Sequence, residues 1–314
     1  MRNNKLLGNF ILLMTAFIWG MSFAFQKEGV TAIAPFTFGA SRCTLSAISV
    51  WIVALLFERG KTRTTEYKKT TIKGGIICGV FLTIACNLQQ IGLVQTSAGK
   101  GAFITALYML LIPIIGVLFL KQKIGKRAWL AVAIGVAGMY LLCISNDFSV
   151  GGGDIYVLGC AVFFALQMLA VDKYAPNANP LFMSAIQFTM NAVISGIIAL
   201  IFEQPNFADL KSVMVEILYC GLFSGGLGYT LQMVGQRMTD PTSAGLLLSF
   251  ESVFGALGGA LMLNERMTPR ELAGAFIMFV AIMLIQLPNK NKIASDNLNK
   301  TSSRSLDEKE KQNE

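Results

Sequence analysis

Histidine is absent from this chain, and that absence removes several chemistries at once. HExxH zinc sites, Ser-His-Asp triads and haem held through an imidazole all need the side chain. Charge is scarce as well. Asp, Glu, Lys and Arg make up 14% of the sequence, against about 25% in an average soluble protein. The six cysteines, Cys43, Cys78, Cys86, Cys143, Cys160 and Cys220, include no CxxC pair and fall in apolar stretches. They are read as small packing residues, not as metal ligands or disulfides. Gly60-Lys61-Thr62 ends like a phosphate-binding loop, but position 55, where the loop needs its first glycine, is leucine. ATP hydrolysis is therefore not expected, nor is any metal or cofactor.

What is present is apolar sequence in long runs. The composition is 54% apolar and the mean hydropathy +0.58. Ten stretches, roughly 7–25, 35–57, 74–93, 101–120, 127–144, 154–171, 181–202, 212–234, 243–263 and 270–287, each approach the ~20 residues needed to cross a hydrocarbon core. The first is too long for a signal peptide, lacks a small-x-small cleavage site and runs directly into Gln26-Lys27-Glu28.

The chain also repeats itself. An offset of 145 lays residues 35–58 over 180–203 with nine coincidences, among them Pro35/Pro180, Thr44/Thr189, Phe57/Phe202 and Glu58/Glu203. Leu88-Gln89 recurs as Leu231-Gln232, and Thr96-Ser-Ala-Gly99 as Thr242-Ser-Ala-Gly245. Each copy holds five of the ten stretches. Five crossings return the chain on the opposite side, so the second copy is inserted upside down, as in secondary transporters with a central site. The expected fold is all-α and integral to the membrane, with ten transmembrane helices in two inverted five-helix repeats, 1–147 and 148–288.

Positive charge sets the orientation. Fourteen Lys and Arg, from Arg2 and Lys5 through the cluster at 59–73 to Arg237, fall on one side. Five fall on the other: Lys27, Lys100, Lys211, Arg266 and Arg270. The positive-inside rule puts both termini in the cytoplasm. The net charge of +8 reflects this topology and does not call for a nucleic-acid partner. Residues 289–314 are polar and of mixed charge, the composition of a disordered cytoplasmic tail.

Polar residues within the spans carry the chemistry. Only Arg42 and Glu251 place charge deep in them, at a cost of about 2.5–3.5 kcal/mol each on insertion scales. At 1.5 Å per residue, Arg42 lies about 10 Å below the outer end of the second span. Glu251 lies about 13 Å above the inner end of the ninth. In a core of about 30 Å the two depths differ by roughly 6–7 Å, within reach of an arginine. Both are expected to face the interior and to pair in one access state. Glu251 is a candidate for substrate contact or proton coupling, or else a structural acid held by Ser249, a tyrosine or backbone. Asn87 and Gln90, and Tyr229 and Gln232, are spaced three apart on their helices. With Trp19, Tyr108, Gln167 and Gln187 they supply the amides and rings that suit an amphiphilic zwitterion or aromatic metabolite. The alternative is that they bond neighbouring helices. Gly75/Gly79, Gly221/Gly225 and Gly255/Gly259 are close-packing pairs. Pro113 is expected to kink the fourth span, and Lys100 to snorkel or attract anions.

Several stretches carry a family resemblance: Trp19-Gly20; Asn87-Leu-Gln-Gln-Ile-Gly-Leu93; and Thr96-Ser-Ala-Gly-Lys-Gly-Ala-Phe-Ile-Thr-Ala-Leu-Tyr108 with Pro113. The second copy has Gly228-Tyr-Thr-Leu-Gln232, Thr242-Ser-Ala-Gly245, Ser249-Phe-Glu-Ser-Val-Phe254 and Leu263-Asn-Glu265. Together, over residues 7–287, they resemble the EamA-type transporters of the drug/metabolite transporter superfamily. The resemblance implies ten helices, cytoplasmic termini and movement of small metabolites, often outward. Many relatives have proline after the ninth-helix Glu, where this chain has Ser252, which implies a straighter helix there. The expected function is efflux of a small organic metabolite, an amino acid or related amphiphile, by alternating access at the cell membrane, most simply a bacterial cytoplasmic membrane. A passive channel is the alternative and a membrane enzyme the third reading, although no filter loop or buried nucleophile, acid and base are apparent.

Overall fold

A computed structural model describes residues 2–59, 62–96, 98–121, 124–143, 151–262 and 268–286. The tail at 289–314, Lys61, Lys123, Arg266 and the Leu263-Asn-Glu265 motif lie outside the described residues. Every regular element described is a helix. In the first half these are α1 (Arg2–Ala32), α2 (Pro35–Glu58), α3 (Thr65–Gln95), α4 (Ala98–Ala106), α5 (Tyr108–Leu118) and α6 (Lys126–Cys143). The second half has α7 (Gly152–Tyr174), a 3₁₀ turn at Ala175–Asn177, α8 (Pro180–Phe202), α9 (Phe207–Ser212) and α10 (Met214–Leu218). A π-helix, Tyr219–Gly228, then leads into α11 (Tyr229–Gln236), α12 (Pro241–Leu248), α13 (Glu251–Met262) and α14 (Pro269–Gln286).

Among the described residues, seven helical stretches are long and apolar enough to cross a membrane. Spans expected at 127–144, 243–263 and 270–287 coincide, over their described parts, with α6, with α12 and α13 on either side of a break, and with α14. The polarity of the protein is inverted relative to a soluble one. Leu200, Ile201 and Phe202 near the end of α8, and Leu55, Leu56 and Phe57 near the end of α2, are all exposed. Thr15, Ser46, Gln167, Gln187 and Ser195 are fully buried. Hydrocarbon around the protein reverses the usual preference, so apolar side chains face out and polar ones turn to each other.

Helices pair in a pattern that follows the repeat. α2 lies along α8, α3 along α7, and α6 along α14, while α1 packs on α13, the π-helix and α11. Glycines permit the close crossings. A methyl group on Gly75 would meet Ile186, one on Gly79 would meet Met190, and one on Gly221 would meet Leu45. Gly255 faces Gly20 across the α1–α13 contact, and the surroundings of Gly259 are outside the described set.

Two helices are interrupted. Between α4 and α5, Leu107 N donates to Ile104 O at 3.2 Å and Leu110 N to Leu107 O at 2.9 Å, a tight 3₁₀ segment. The break falls at Leu107, while Pro113, the expected kink, sits inside α5. Between α12 and α13, Phe250 N donates to Leu247 O at 3.3 Å and Ser252 N to Ser249 O at 3.1 Å. Ser252 in place of proline therefore does not give a straight helix. The hydroxyls of Ser249 and Ser252 donate to the carbonyls of Leu246 and Ser249, at 2.8 and 2.6 Å. Such side-chain competition for backbone acceptors bends helices without proline.

One end of the bundle is tied by charge. Ala34, before α2, has no side-chain acceptor for the free N–H groups of that helix. Glu203 supplies it from the end of α8: its carboxylate accepts from Phe36 N at 3.0 Å, Thr37 N at 2.6 Å and Thr37 Oγ1 at 2.8 Å. The corresponding N-cap of α8 is local, with Asn179 Oδ1 accepting from Leu181 N and Phe182 N. Lys27 donates to the carbonyls of Leu93 and Val94, at 2.7 and 3.3 Å, where a helix C-terminus favours a cation. Lys100, expected to snorkel or to attract anions, pairs with the Asp154 carboxylate at 2.6 Å. Thr96 Oγ1 and Gly151 N also donate to that carboxylate, at 2.6 and 2.7 Å.

Candidate functional site

The interruptions meet at the centre of the bundle. Tyr108 opens α5 after its break and Glu251 opens α13 after its own. Tyr108 Oη donates to Glu251 Oε1 at 3.0 Å, with both residues buried. Of the partners expected for a structural acid, then, Glu251 takes a tyrosine, whereas Ser249 bonds backbone. Interrupted helices are the common way for membrane transporters to bring polar groups to the bilayer midplane.

A cavity lies beside this pair. α1 contributes Trp19, Ser22, Phe23 and Gln26, and α2 contributes Arg42. Gln89 comes from α3, Thr105 from α4, and Phe164, Gln167 and Met168 from α7. Ser224 of the π-helix and Tyr229 and Gln232 of α11 complete it. About 30 Å³ is open to the centre of a water molecule, room for a few waters and too little for a metabolite. Admitting a solute requires the helices to part.

The aromatic wall is built by an irregular helix. The π-helix widens the backbone before α11, and Trp19 Nε1 donates to the carbonyl of Ser224 at 3.1 Å. Gly228 makes room for that indole: a Cβ there would stand 2.6 Å from Trp19 Nε1. Trp19 packs on Tyr229 with ring centroids 4.6 Å apart, and Tyr229 meets Phe188 edge-on at 5.2 Å. π-helical segments are rare, and they frequently fall at functional sites.

Amides line the remainder and largely satisfy one another. Gln26 Nε2 donates to Ser22 Oγ at 3.1 Å, and Gln90 Nε2 donates to Gln26 Oε1 at 2.7 Å. Gln89 Nε2 donates to Thr105 Oγ1 at 3.1 Å. Gln167 stands between Gln232 and Gln187, with Gln232 Nε2 donating to Gln167 Oε1 at 3.1 Å and Gln167 Nε2 to Gln187 Oε1 at 3.3 Å. Arg42 is different. It is 3% exposed, and its Nε and Nη2 are buried without a hydrogen-bond acceptor. It lines the same cavity as Glu251, yet no guanidinium nitrogen forms an ion pair with that carboxylate in this conformation. A buried, unpaired ion costs several kcal/mol.

Of the ten polar residues singled out in the sequence, seven line the cavity: Trp19, Arg42, Tyr108, Gln167, Tyr229, Gln232 and Glu251. Gln90 and Gln187 stand one hydrogen bond behind it, through Gln26 and Gln167. Asn87 faces α8 instead, where its Nδ2 donates to Ser195 Oγ at 2.9 Å. Helical spacing put Asn87 and Gln90 on one face, but α1 and α8 flank that face and each takes one amide. The residues not foreseen are Ser22, Phe23, Gln26, Gln89, Thr105, Phe164, Met168 and Ser224.

The repeat would have found half of them: Ser22, Gln89, Thr105 and Phe164. At the 145 offset Trp19 corresponds to Phe164, Ser22 to Gln167 and Phe23 to Met168. Gln89 corresponds to Gln232 through the shared Leu-Gln pair, and Thr105 to Glu251 through the shared Thr-Ser-Ala-Gly run. Each member of these five pairs lines the cavity. The wall is thus built twice from equivalent stations, and charge breaks the symmetry. Glu251 matches Thr105, and Arg42 matches Gln187.

Comparison with known proteins gives the family. The EamA-like transporter family matches at residues 6–144 and again at 151–287. An uncharacterized transporter of Archaeoglobus fulgidus is 28% identical over 276 residues, covering 88% of this chain and 84% of that protein. A chloroplastic WAT1-related protein of Arabidopsis thaliana is 24% identical, covering 90% and 70%. The uncharacterized transporter YoaV of Bacillus subtilis is 21% identical, covering 87% and 94%. A crystal structure superposes with a TM-score of 0.73 at 18% identity, covering 91% of this chain and 97% of its own, which shows the shared fold. With apolar helices on its outside, polar residues within and two family matches along its length, this multi-pass membrane protein belongs to the EamA-like transporter family.

Proposed function

We propose that this protein is a secondary transporter that exports a small organic metabolite, an amino acid or related amphiphile, across the cell membrane by alternating access. In this reading ten membrane helices form two inverted repeats, 1–147 and 148–288, with both termini and the 289–314 tail in the cytoplasm. The observation that carries it is the central cavity, walled by equivalent residues of the two copies and bordered by two interrupted helices. Alternating access asks for such a site at the repeat interface. The pairing of α2 with α8 and of α6 with α14 supports the same symmetry.

The contacts of one end supply a closed gate. The Glu203 cap on α2, Lys27 on the end of α3 and the Lys100–Asp154 pair join three pairs of helices at the end that positive charge assigns to the outside. Opening that end means exchanging these bonds for water. Glu251 is the candidate coupling group. It is buried beside the cavity and its carboxylate is held by one phenol, so its proton or a substrate amine can compete for the same oxygens.

The test is metabolite profiling of the medium from cells producing the wild type, Glu251→Gln or neither. A compound enriched by the wild type alone identifies an exported solute and makes Glu251 necessary. Equal enrichment by both proteins removes Glu251 from coupling. No enrichment, with both proteins present in the membrane, refutes export.

A further inference from the structure

Arg42 is the charged cavity group with two buried donors left unpartnered. The amides beside it bond to one another and Glu251 is engaged by Tyr108, while Arg42 Nε and Nη2 have no acceptor. No ion pair joins Arg42 to Glu251, the other charge lining the cavity. Packing does not explain the cation. The equivalent station in the second copy holds Gln187, fully buried. The architecture thus accepts a neutral amide at this position, and the charge is kept where it borders the cavity.

We propose that Arg42 seats the carboxylate of the transported solute, and that the substrates are organic monocarboxylates whose apolar body lies against Trp19, Tyr229 and Phe164. The assignment rests on the transporter reading above and narrows it. A guanidinium presents a planar fork of donors that fits a carboxylate in bidentate fashion. It supplies one positive charge. A phosphate monoester, at about −1.5 to −2, would bring excess negative charge into a cavity that already contains Glu251. A bare inorganic anion would leave the aromatic wall uncovered. An amino group on the same solute has its counter-charge at Glu251, so acids with and without one form separate arms of the test.

The experiment uses the purified full chain in vesicles loaded with a defined mixture. It contains 3-phenylpropionate, phenylalanine, 4-methylpentanoate and leucine, each with its primary amide, and phenethylamine. Mass spectrometry follows release from vesicles holding wild type, Arg42→Gln, Arg42→Lys or no protein. At least one acid should leave wild-type vesicles about tenfold faster than its amide, the ratio expected for one charge-assisted contact. Arg42→Gln should remove that advantage and Arg42→Lys should retain part of it. Arg42→Gln, freed of an unpaired buried charge, should melt at or above the wild-type temperature, and the favoured acid should raise the melting temperature of wild type only. Release of amides as fast as acids, full acid flux through Arg42→Gln, or movement of no acid overturns the assignment. So does a marked fall in melting temperature for Arg42→Gln, which would make the charge structural. If the acids fail while metabolite profiling still identifies an exported compound, the carboxylate seat alone is refuted. Failure of both refutes the transporter reading too.

Discussion

Replacing Gly20 with alanine tests whether the α1–α13 crossing fixes the site. A Cβ at position 20 would stand 2.5 Å from the carbonyl oxygen of Glu251, 2.6 Å from Phe254 Cβ and 2.8 Å from Gly255 N. Ordinary contacts lie near 3.5–4 Å, so each neighbour must retreat by about 1 Å. All three are backbone or Cβ atoms, and none can swing aside as a side-chain tip would. Overpacking of this kind costs about 1–3 kcal/mol. At about 2–4 °C per kcal/mol for a protein of this size class, the melting temperature in detergent should fall by roughly 2–12 °C. Because the displaced carbonyl belongs to Glu251 itself, transport of the solute identified by metabolite profiling should fall further than stability alone explains. Gly196→Ala is the control. Its nearest neighbour would be Ala40 Cβ at 4.0 Å, so it should be neutral or stabilise by about 0.4–1 kcal/mol. If Gly20→Ala melts with the wild type or with Gly196→Ala, the close crossing is wrong.

Three further outcomes follow from contacts described above. Glu203→Gln should lower the melting temperature by an amount equivalent to about 1–2 kcal/mol, because the N-terminus of α2 loses its only charged cap; an unchanged melting curve refutes that role. At the half-shielded Lys100–Asp154 pair, Lys100→Met should cost about 1–3 kcal/mol and Asp154→Asn more. The aspartate also accepts from Thr96 and Gly151, and the reverse order by thermal melting would contradict the geometry. Tyr108→Phe removes the phenol that donates to Glu251 and should reduce both flux and stability, the latter by about 1–3 kcal/mol. Full flux with unaltered melting would show that this hydrogen bond contributes nothing.

The amino-acid sequence by itself determined that this is a membrane protein and that its sequence repeats itself, and it singled out ten polar residues, seven of which line the cavity. Those features are local or periodic. Apolar run length sets a span, a constant offset reveals a copy, and the cost of burying charge in lipid marks Arg42 and Glu251. Gln89 was legible too, since Leu88-Gln89 lies over Leu231-Gln232, and reading the cavity through the repeat recovers Phe164, Ser22 and Thr105. Tertiary structure alone decided how the polar groups pair. Lys100 meets an aspartate 54 residues away, Glu203 caps a helix 167 residues before it, and Asn87 turns to Ser195 where Gln90 turns to Gln26. A side chain of given type and helix face has several neighbours within reach, and the crossing of the helices selects among them. The breaks at Leu107 and Ser249 were likewise invisible in a proline count; at Ser249, competition between hydroxyl and backbone for the same carbonyls bends the helix without proline. That Arg42 and Glu251 share a cavity without touching is a fact of packing: their depths along two helices said they could meet, and only the packed bundle holds them apart.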